Sequence, residues 1–210
     1  MIGLLGGTFD PIHFGHLRTS LEVMEALNLE AIRFLPAPRP RLRDQPILSP
    51  EQRIEMVRLA ISGQPGFELD VRELNREGPT YTVDTLRQIR ADIGGSKALV
   101  LIMGSDAFAR LTQWYEWEKL IELSHIAVMM RPDAHLNAGD LPSGWLNEHL
   151  TEISGDLSQM PAGRVMTVSV TQLAISATDI RQRLRQGKSI RYLLPEPVLA
   201  YIEQHGLYRN

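Results

Sequence analysis

The sequence contains no cysteine among its 210 residues, which excludes a disulfide framework, a thiolate zinc site and a cysteine nucleophile. It has no apolar run near the roughly 18 residues that span a membrane. The first residues, MIGLLGG, lack the basic start and long apolar stretch of a signal peptide. Positive charge is not in excess either, because the formal net charge is -3, which disfavours a dedicated nucleic-acid binder. We therefore expect a cytoplasmic protein whose partners include neither membrane nor nucleic acid.

The remaining composition is that of an ordinary globular protein, with 43% hydrophobic and 22% charged residues. A chain of this length can bury a sizeable core, and we expect one domain over residues 1–210. Short apolar runs that stop at glycine are typical of buried parallel strands. Residues 1–5 before Gly6 and residues 98–103 before Gly104 are the clearest examples.

Segments with the apolar spacing of a helix alternate with the strand-like runs. We predict strands at residues 1–5, 31–35, 67–71, 98–103, 125–130 and 164–171, and helices at 16–27, from 50, 83–91, 114–123, 178–186 and 196–205. Ser49, Pro50 and Gln52 supply a cap, a first-turn proline and a capping-box partner. Residues 36–50 are predicted to form a surface loop and residues 132–163 a surface excursion. The alternation predicts an α/β fold with a mostly parallel sheet and a helical C-terminal part at 175–210.

Unusual residues cluster directly after three of the predicted strands, at 6–16, 104–117 and 175–181. In open parallel sheets, ligands bind beyond the carboxyl ends of the strands. We therefore expect the three clusters to converge on one site.

The first cluster, GGTFDPIHFGH, combines glycines with two histidines. Gly6 and Gly7 allow the backbone to approach a ligand closely, and Gly15 removes a side chain that would crowd it. His13 and His16 are three residues apart, so they can face one side of the entering helical turn. A helix N-terminus favours anions, and the imidazoles would add donors to phosphate oxygens.

Other interpretations of this cluster are weaker. A glycine pair, or a histidine near a helix start, is by itself most often an ordinary surface feature. Zinc could be bound by His13, His16 and Asp10, but the sequence does not fix the third ligand in place. The chain has no GxGxxG motif here, so it does not carry a dinucleotide-binding fingerprint.

The last cluster, ISATDIR, carries a second set of anion-binding groups. Ser176 and Thr178 place hydroxyls at a predicted helix start, with Thr178 as the expected N-cap, and Arg181 follows one turn later. Hydroxyls, helix N–H groups and a guanidinium can together bind phosphate. Alone the motif predicts only a capped helix, whereas together with the histidines it predicts a polyphosphate held from two sides.

Six stretches of the sequence together resemble the bacterial nicotinate-nucleotide adenylyltransferases, of the nucleotidyltransferase superfamily with the (H/T)xGH signature. They are GGTFDPIHFGHL at 6–17, PTYTVDTL at 79–86, GSDAF..L..W at 104–114, MMRPD at 129–133, ISATDIR at 175–181 and IRYLLPEPVLAYIEQHGLY at 190–208. The histidine signature by itself indicates only the superfamily. The YTVDTL and WYEW stretches are similar to those of the nicotinate-nucleotide adenylyltransferases in particular. It implies a Rossmann-like nucleotidyltransferase fold with helices on both faces of the sheet.

The resemblance also implies transfer of AMP from ATP to nicotinate mononucleotide, which yields deamido-NAD and pyrophosphate. It implies that the catalytic side chains are His13, His16 and Arg181. The ATP-binding residues that it implies are Gly6, Gly7, Thr8, Phe9, His16, Gly104, Asp106, Ser176, Thr178 and Arg181. Nicotinate mononucleotide would be bound by Arg43, Tyr81, Thr82, Trp114 and Arg131, with its ring stacked on Trp114. Mg²⁺ is expected to arrive on ATP, and Asp106 would accept from a ribose hydroxyl or from water on that ion.

Two positions depart from the family pattern. Ala177 stands where the family has a second serine, so it cannot donate a hydroxyl, and Leu42 stands where a histidine often precedes the cation, here Arg43. The rival interpretations are a sister enzyme for nicotinamide mononucleotide or phosphopantetheine, and a nucleotide-binding module without turnover. The sequence is equally compatible with a monomer and a homo-oligomer.

Overall fold

The computed structural model describes residues 1–38, 46–74, 76, 78–132 and 134–209. One sheet contains six strands: β1 (Ile2–Gly7), β2 (Ala31–Pro36), β3 (Phe67–Leu69), β4 (Leu99–Gly104), β5 (His125–Met130) and β6 (Val165–Ser169). Their order is β3-β2-β1-β4-β5-β6, and every neighbouring pair is parallel. This is the doubly wound Rossmann order, in which the chain reverses its direction of winding between β1 and β4. The predicted α/β fold is confirmed.

The helices are α1 (Phe14–Ala26), α2 (Pro50–Ile61), α3 (Thr82–Ile93), α4 (Ser105–Phe108), α5 (Trp117–Leu123), α6 (Trp145–His149), α7 (Ser154–Gln159), α8 (Ala177–Arg185) and α9 (Glu196–Gln204). The predicted capping box of α2 is confirmed, because the Gln52 N–H donates to Ser49 Oγ at 3.3 Å and Gln52 Oε1 accepts from the Ser49 N–H at 3.2 Å. No helix in the described part of the chain combines the length and apolarity needed to cross a bilayer.

Helices cover both faces of the sheet, as expected. Successive residues of a strand point to opposite faces, and in β4 Val100 and Ile102 enter one core cluster while Leu99 and Leu101 enter the other. The first cluster also contains buried residues of α1, α2, α8 and α9, and the second contains those of α3, α4 and α5. The C-terminal helices therefore share a core with the sheet.

Two helix starts differ from their predictions. The helix expected over residues 114–123 is broken: a 3₁₀ turn covers Leu111–Gln113, Trp114 has extended backbone, and Glu116 adopts a left-handed conformation with φ 48° before α5 begins. Helix α8 is capped by Ser176, whose Oγ accepts from the Asp179 N–H at 3.1 Å, and not by Thr178. The cap is two positions earlier than expected because Ala177 is already the first helical residue.

The predicted surface excursion at 132–163 contains two short helices, α6 and α7. Leu157 of α7 is fully buried in the first core cluster, and Trp145 of α6 packs against the second. This region is thus partly a core element, which its irregular apolar spacing did not indicate.

Candidate active site

A cavity of about 1100 Å³ opens beyond the carboxyl ends of β1 and β4. This is the point where the strand order reverses, and ligands of doubly wound sheets bind there. Residues of all three sequence clusters line it, so the predicted convergence is confirmed. The lining includes the predicted site residues Gly6, Gly7, Thr8, Phe9, His16, Tyr81, Thr82, Gly104, Trp114, Thr178 and Arg181.

Four predicted site residues are outside the lining of this cavity: His13, Asp106, Arg131 and Ser176. Asp106 and Arg131 are exposed, Asp106 in the short helix α4 and Arg131 directly after β5. Ser176 is exposed as well, and its hydroxyl oxygen caps α8. Arg43, together with the departure at Leu42, is outside the described residues.

His16 is the histidine that faces the cavity. The backbone N–H of His13 donates to His16 Nδ1 at 3.3 Å, and the two rings stack with their centroids 3.8 Å apart. Phe9 contacts the His16 ring edge-on, with 5.2 Å between centroids. Because Nδ1 accepts a hydrogen bond, the proton of the neutral ring is on Nε2. These contacts hold His16 as an Nε2–H donor.

His13 lies behind His16 and is only 5% exposed. Burial lowers its pKa from 6.5 to about 4, so the ring is neutral near pH 7. Its Nδ1 atom has no hydrogen-bond partner among the described residues. A Cβ atom at position 15 would be 2.9 Å from the His13 ring. Gly15 therefore makes room for His13, and the expectation that it also makes room for a ligand stays a prediction.

The glycine pair before the histidines has two different roles. A Cβ atom on Gly7 would be 2.7 Å from the Phe9 ring. The backbone of Phe9 is itself left-handed, with φ 50°. A Cβ atom on Gly6 would meet nothing within 4 Å. Gly7 is thus required by the fold of the loop, whereas Gly6 borders the open cavity.

Arg181 joins α8 to the loop after β1. Its Nη1 donates to the Asp10 carbonyl oxygen at 2.7 Å and its Nη2 to Thr178 Oγ1 at 3.3 Å. Ala177 also lines the cavity, so a methyl group is present where the family pattern has a hydroxyl. The guanidinium and His16 therefore reach the same cavity from sequence positions far apart.

Aromatic side chains form the opposite wall of the cavity. Trp114 and Tyr115 follow the 3₁₀ turn, and the Tyr115 ring lies against Tyr81 with 4.4 Å between centroids. Tyr81 caps α3, and Thr82 is its first residue. The N–H groups of the first turn of α3 and the ring of Trp114 thus border one end of the cavity.

The sequence reasoning missed several polar residues around the cavity. Arg53 is fully buried and donates to the carbonyl oxygens of Thr8 at 2.8 Å and Ala37 at 2.7 Å. Burial lowers its pKa. Arg53 lies on the same face of α2 as the buried Met56 and Val57. This helical spacing is the one feature of the sequence that indicates burial of Arg53.

Glu73 was also missed, and nothing in its local sequence indicates a role. It lines the cavity, is buried, and accepts from Thr85 Oγ1 at 2.7 Å. Burial raises its pKa. The Thr85 hydroxyl thus pairs with a buried carboxyl group at the border of the cavity.

The sequence indicates only one role for Asp10, that of a third zinc ligand beside His13 and His16. Its carboxylate accepts from the Tyr208 hydroxyl at 2.6 Å and from the Ile47 N–H at 2.9 Å. In the described part of the chain, no three histidine, cysteine, aspartate or glutamate side chains are grouped so that they could hold a metal ion. The geometry gives the zinc interpretation no support.

Comparison with known proteins agrees with the resemblance seen in the motifs. A family model described as cytidylyltransferase-like matches residues 4–183. The chain is 48% identical to a probable nicotinate-nucleotide adenylyltransferase of Pseudomonas putida (strain GB-1), over 99% of this chain and 94% of that protein. It is 45% identical to a protein of the same name from Dechloromonas aromatica (strain RCB), over 100% and 98% of the two chains.

Solved structures show the same fold. The nicotinic acid mononucleotide adenylyltransferase of Plasmodium falciparum, complexed with NaAD, superimposes with a TM-score of 0.70 at 19% identity, over 99% of this chain and 96% of that one. A putative nicotinate-nucleotide adenylyltransferase from Vibrio parahaemolyticus gives 0.64 at 18% identity, over 100% and 95%.

Proposed function

The chain belongs to the nicotinate-nucleotide adenylyltransferases, within the cytidylyltransferase-like family, and from this premise we propose that it transfers AMP from ATP to nicotinate mononucleotide. The products are deamido-NAD and pyrophosphate, and the reaction is a step of NAD biosynthesis. The observation that carries the proposal is that His16 and Arg181 line one cavity at the reversal point of the sheet.

The reaction needs no protein base or nucleophile. The phosphate of the mononucleotide attacks the α-phosphorus of ATP, and the second pKa of a phosphomonoester is about 6, so it is already ionised. The protein has to align the two phosphates for in-line attack and stabilise the leaving pyrophosphate.

The main obstacle is repulsion between the two anions. At about 3 Å and an effective dielectric constant near 20, each pair of unit charges repels by roughly 5 kcal/mol. The Nε2–H of His16 and the guanidinium of Arg181 offset this repulsion in our proposal. A preorganised donor of this kind is typically worth about 10²- to 10³-fold in rate. His13 contributes a neutral ring behind His16, since its pKa is well below 7.

The wall that contains α3 is the proposed site of the nicotinate ring. The free N–H groups of a helix N-terminus attract a carboxylate, and Thr82 with Tyr81 borders the cavity there. Thr80 Oγ1 is buried without a hydrogen-bond partner among the described residues, so it is a further donor on this wall. Such donors penalise an amide, whose NH₂ group would face them.

Trp114 is proposed as the platform for the pyridine ring. For the mononucleotide phosphate, the cavity-lining Arg110 takes the place expected for the exposed Arg131. Arg43 stays a prediction, because it is outside the described residues.

Mg²⁺ is proposed to enter on the triphosphate. The described residues contain no cluster that could hold the ion by themselves, which suits an ion held mainly by phosphate oxygens. When bound, it neutralises part of the charge of the triphosphate. The resemblance implies that Asp106 accepts from a ribose hydroxyl or from water on the ion. Asp106 is exposed and outside the lining of the cavity, which does not support that role.

We further propose that the chain works as a single domain. Arg181 is on α8, and Ile180 of the same helix is buried in the core cluster that contains Phe34 of β2. The cytoplasmic location expected from the sequence stays a prediction.

An acceptor panel tests the proposed function. The protein is incubated with ATP, Mg²⁺ and either nicotinate mononucleotide, nicotinamide mononucleotide or phosphopantetheine, and pyrophosphate release is followed while the adduct is identified by mass spectrometry. We expect the highest kcat/KM with nicotinate mononucleotide. A higher value with another acceptor would indicate the sister enzyme, and no pyrophosphate with any acceptor would indicate a binding module.

A further inference from the structure

Asp10 connects three distant parts of the chain at the edge of the cavity. Its Oδ1 atom accepts from the Tyr208 hydroxyl at 2.6 Å, and its Oδ2 atom accepts from the Ile47 N–H at 2.9 Å. Its carbonyl oxygen accepts from Arg181 Nη1 at 2.7 Å. Asp10 and Tyr208 are both buried, so the hydrogen bond between their side chains is shielded from water.

Among the described residues, the two donors to the Asp10 carboxylate are electrically neutral groups, a hydroxyl and a backbone N–H. Burial, followed by the nearby Asp10 carboxylate, raises the pKa of Tyr208, so the hydroxyl keeps its proton. The nearby cation Arg53 directs its hydrogen bonds to carbonyl oxygens, those of Thr8 and Ala37 among them. Within the described part of the chain, Oδ1 therefore accepts one hydrogen bond from a hydroxyl and Oδ2 accepts one from a backbone N–H.

Arg181 is held next to this carboxylate without using it as the acceptor. The carbonyl that it contacts and the carboxylate belong to the same residue. A bidentate pair of guanidinium and carboxylate is stronger than a hydrogen bond to a neutral carbonyl. What opposes that pair is competition from the Tyr208 hydroxyl and the Ile47 N–H, each of which takes one acceptor position on a carboxylate oxygen.

We propose that Tyr208 is a positioning residue, whose hydroxyl prevents the Asp10 carboxylate from capturing Arg181 and so keeps the guanidinium directed at the phosphates of ATP. The inference rests on the proposed function, in which Arg181 binds the triphosphate. The Tyr208 side chain does not line the cavity. Its effect on ATP binding and turnover is therefore exerted through Asp10 and Arg181.

The first test removes only the hydroxyl. In Tyr208→Phe, one oxygen of Asp10 becomes available to Arg181, and a lost hydrogen bond to a charged group corresponds to a factor of about 10 to 100. We expect the Kd of a non-hydrolysable ATP analogue to rise by about tenfold or more and kcat to fall, with the KM for nicotinate mononucleotide nearly unchanged. Tyr192→Phe is the matched control, because Tyr192 is 83% exposed, and it should behave like the wild type.

A double variant separates positioning from simple support of the fold. In Asp10→Asn/Tyr208→Phe, the amide has no charge with which to capture Arg181, so ATP-analogue affinity should return to within about threefold of the wild type. If the hydroxyl only stabilised the fold, the double variant would bind no better than Tyr208→Phe alone. In the double variant no Asp10 charge is left without its hydroxyl donor, so its affinity is measured even if the single variant does not fold.

The two proposals fail in different ways. Binding of the ATP analogue requires no acceptor, so a wild-type protein that binds it but does not adenylate nicotinate mononucleotide would overturn the proposed function alone. Wild-type affinity in Tyr208→Phe, or a double variant with no recovered affinity, would overturn the role assigned to Tyr208.

Discussion

Replacing His13 with asparagine should change how the stability of the protein depends on pH. Burial lowers the pKa of His13 from 6.5 to about 4 in the folded chain. Between these two pH values the unfolded chain binds a proton that the folded chain does not, so stability falls as the pH drops through this window. Each pH unit corresponds to about 1.4 kcal/mol, which makes the loss between pH 7 and pH 4 about 3 kcal/mol.

Urea-induced unfolding at pH 7, 5.5 and 4.5 measures this effect. Asparagine has a planar polar side chain that does not titrate, so the His13→Asn variant should lose less stability than the wild type on acidification. His125 is also buried with a lowered pKa, but it is present in both proteins and cancels in the difference. A free-energy difference that is the same at every pH would refute the reasoning.

NMR titration of the ring protons provides a direct measurement of the same group. The His13 pKa should be near 4 in the unliganded protein and should rise when ATP and Mg²⁺ are bound, because negative phosphates stabilise the protonated ring. A value at or above 6.5 without ligand would show that the ring is not desolvated in the way that the structure indicates.

Four further perturbations test the site. His16→Ala should lower kcat/KM by at least about 100-fold with little change in the unfolding free energy, and a variant within tenfold of the wild type would remove His16 from the mechanism. Trp114→Ala should raise the KM for nicotinate mononucleotide by about tenfold, the usual worth of one stacked base, while a parallel loss of ATP affinity would point to structural damage. Arg53→Lys should lower the unfolding free energy by about 3 kcal/mol, because one ammonium cannot replace a fork of buried hydrogen bonds; a loss below about 1 kcal/mol would contradict this. A chelator should abolish pyrophosphate release and added Mg²⁺ should restore it, whereas full activity in the chelator would exclude the ion.

The strands were predictable because their signal is local. A strand of a parallel sheet is buried on both faces, so it appears in the sequence as a continuous apolar run, as at residues 98–103. The start of α2 was predictable for a similar reason, since its capping box lies within four consecutive residues. The convergence of three clusters followed from a general property of parallel sheets, whose carboxyl ends meet at one edge.

Interruptions and burial were less predictable. Trp114 has helical spacing relative to Leu111 and Ile121, but the left-handed Glu116 ends that pattern, and Trp114 lines the cavity. Leu157 is buried although its segment has no clear apolar period. In both cases tertiary packing overrode the local pattern.

By itself, then, the sequence determined the strands, the α/β class and the presence of histidine, hydroxyl and guanidinium groups after β1 and at α8, because each depends on residues close together in the chain. Only the tertiary structure decided which histidine faces the cavity, since His13 and His16 differ in burial and not in residue type. It also brought Tyr208 to Asp10 across 198 positions. Such a contact depends on how helices pack over the sheet, and no local pattern of residues records it.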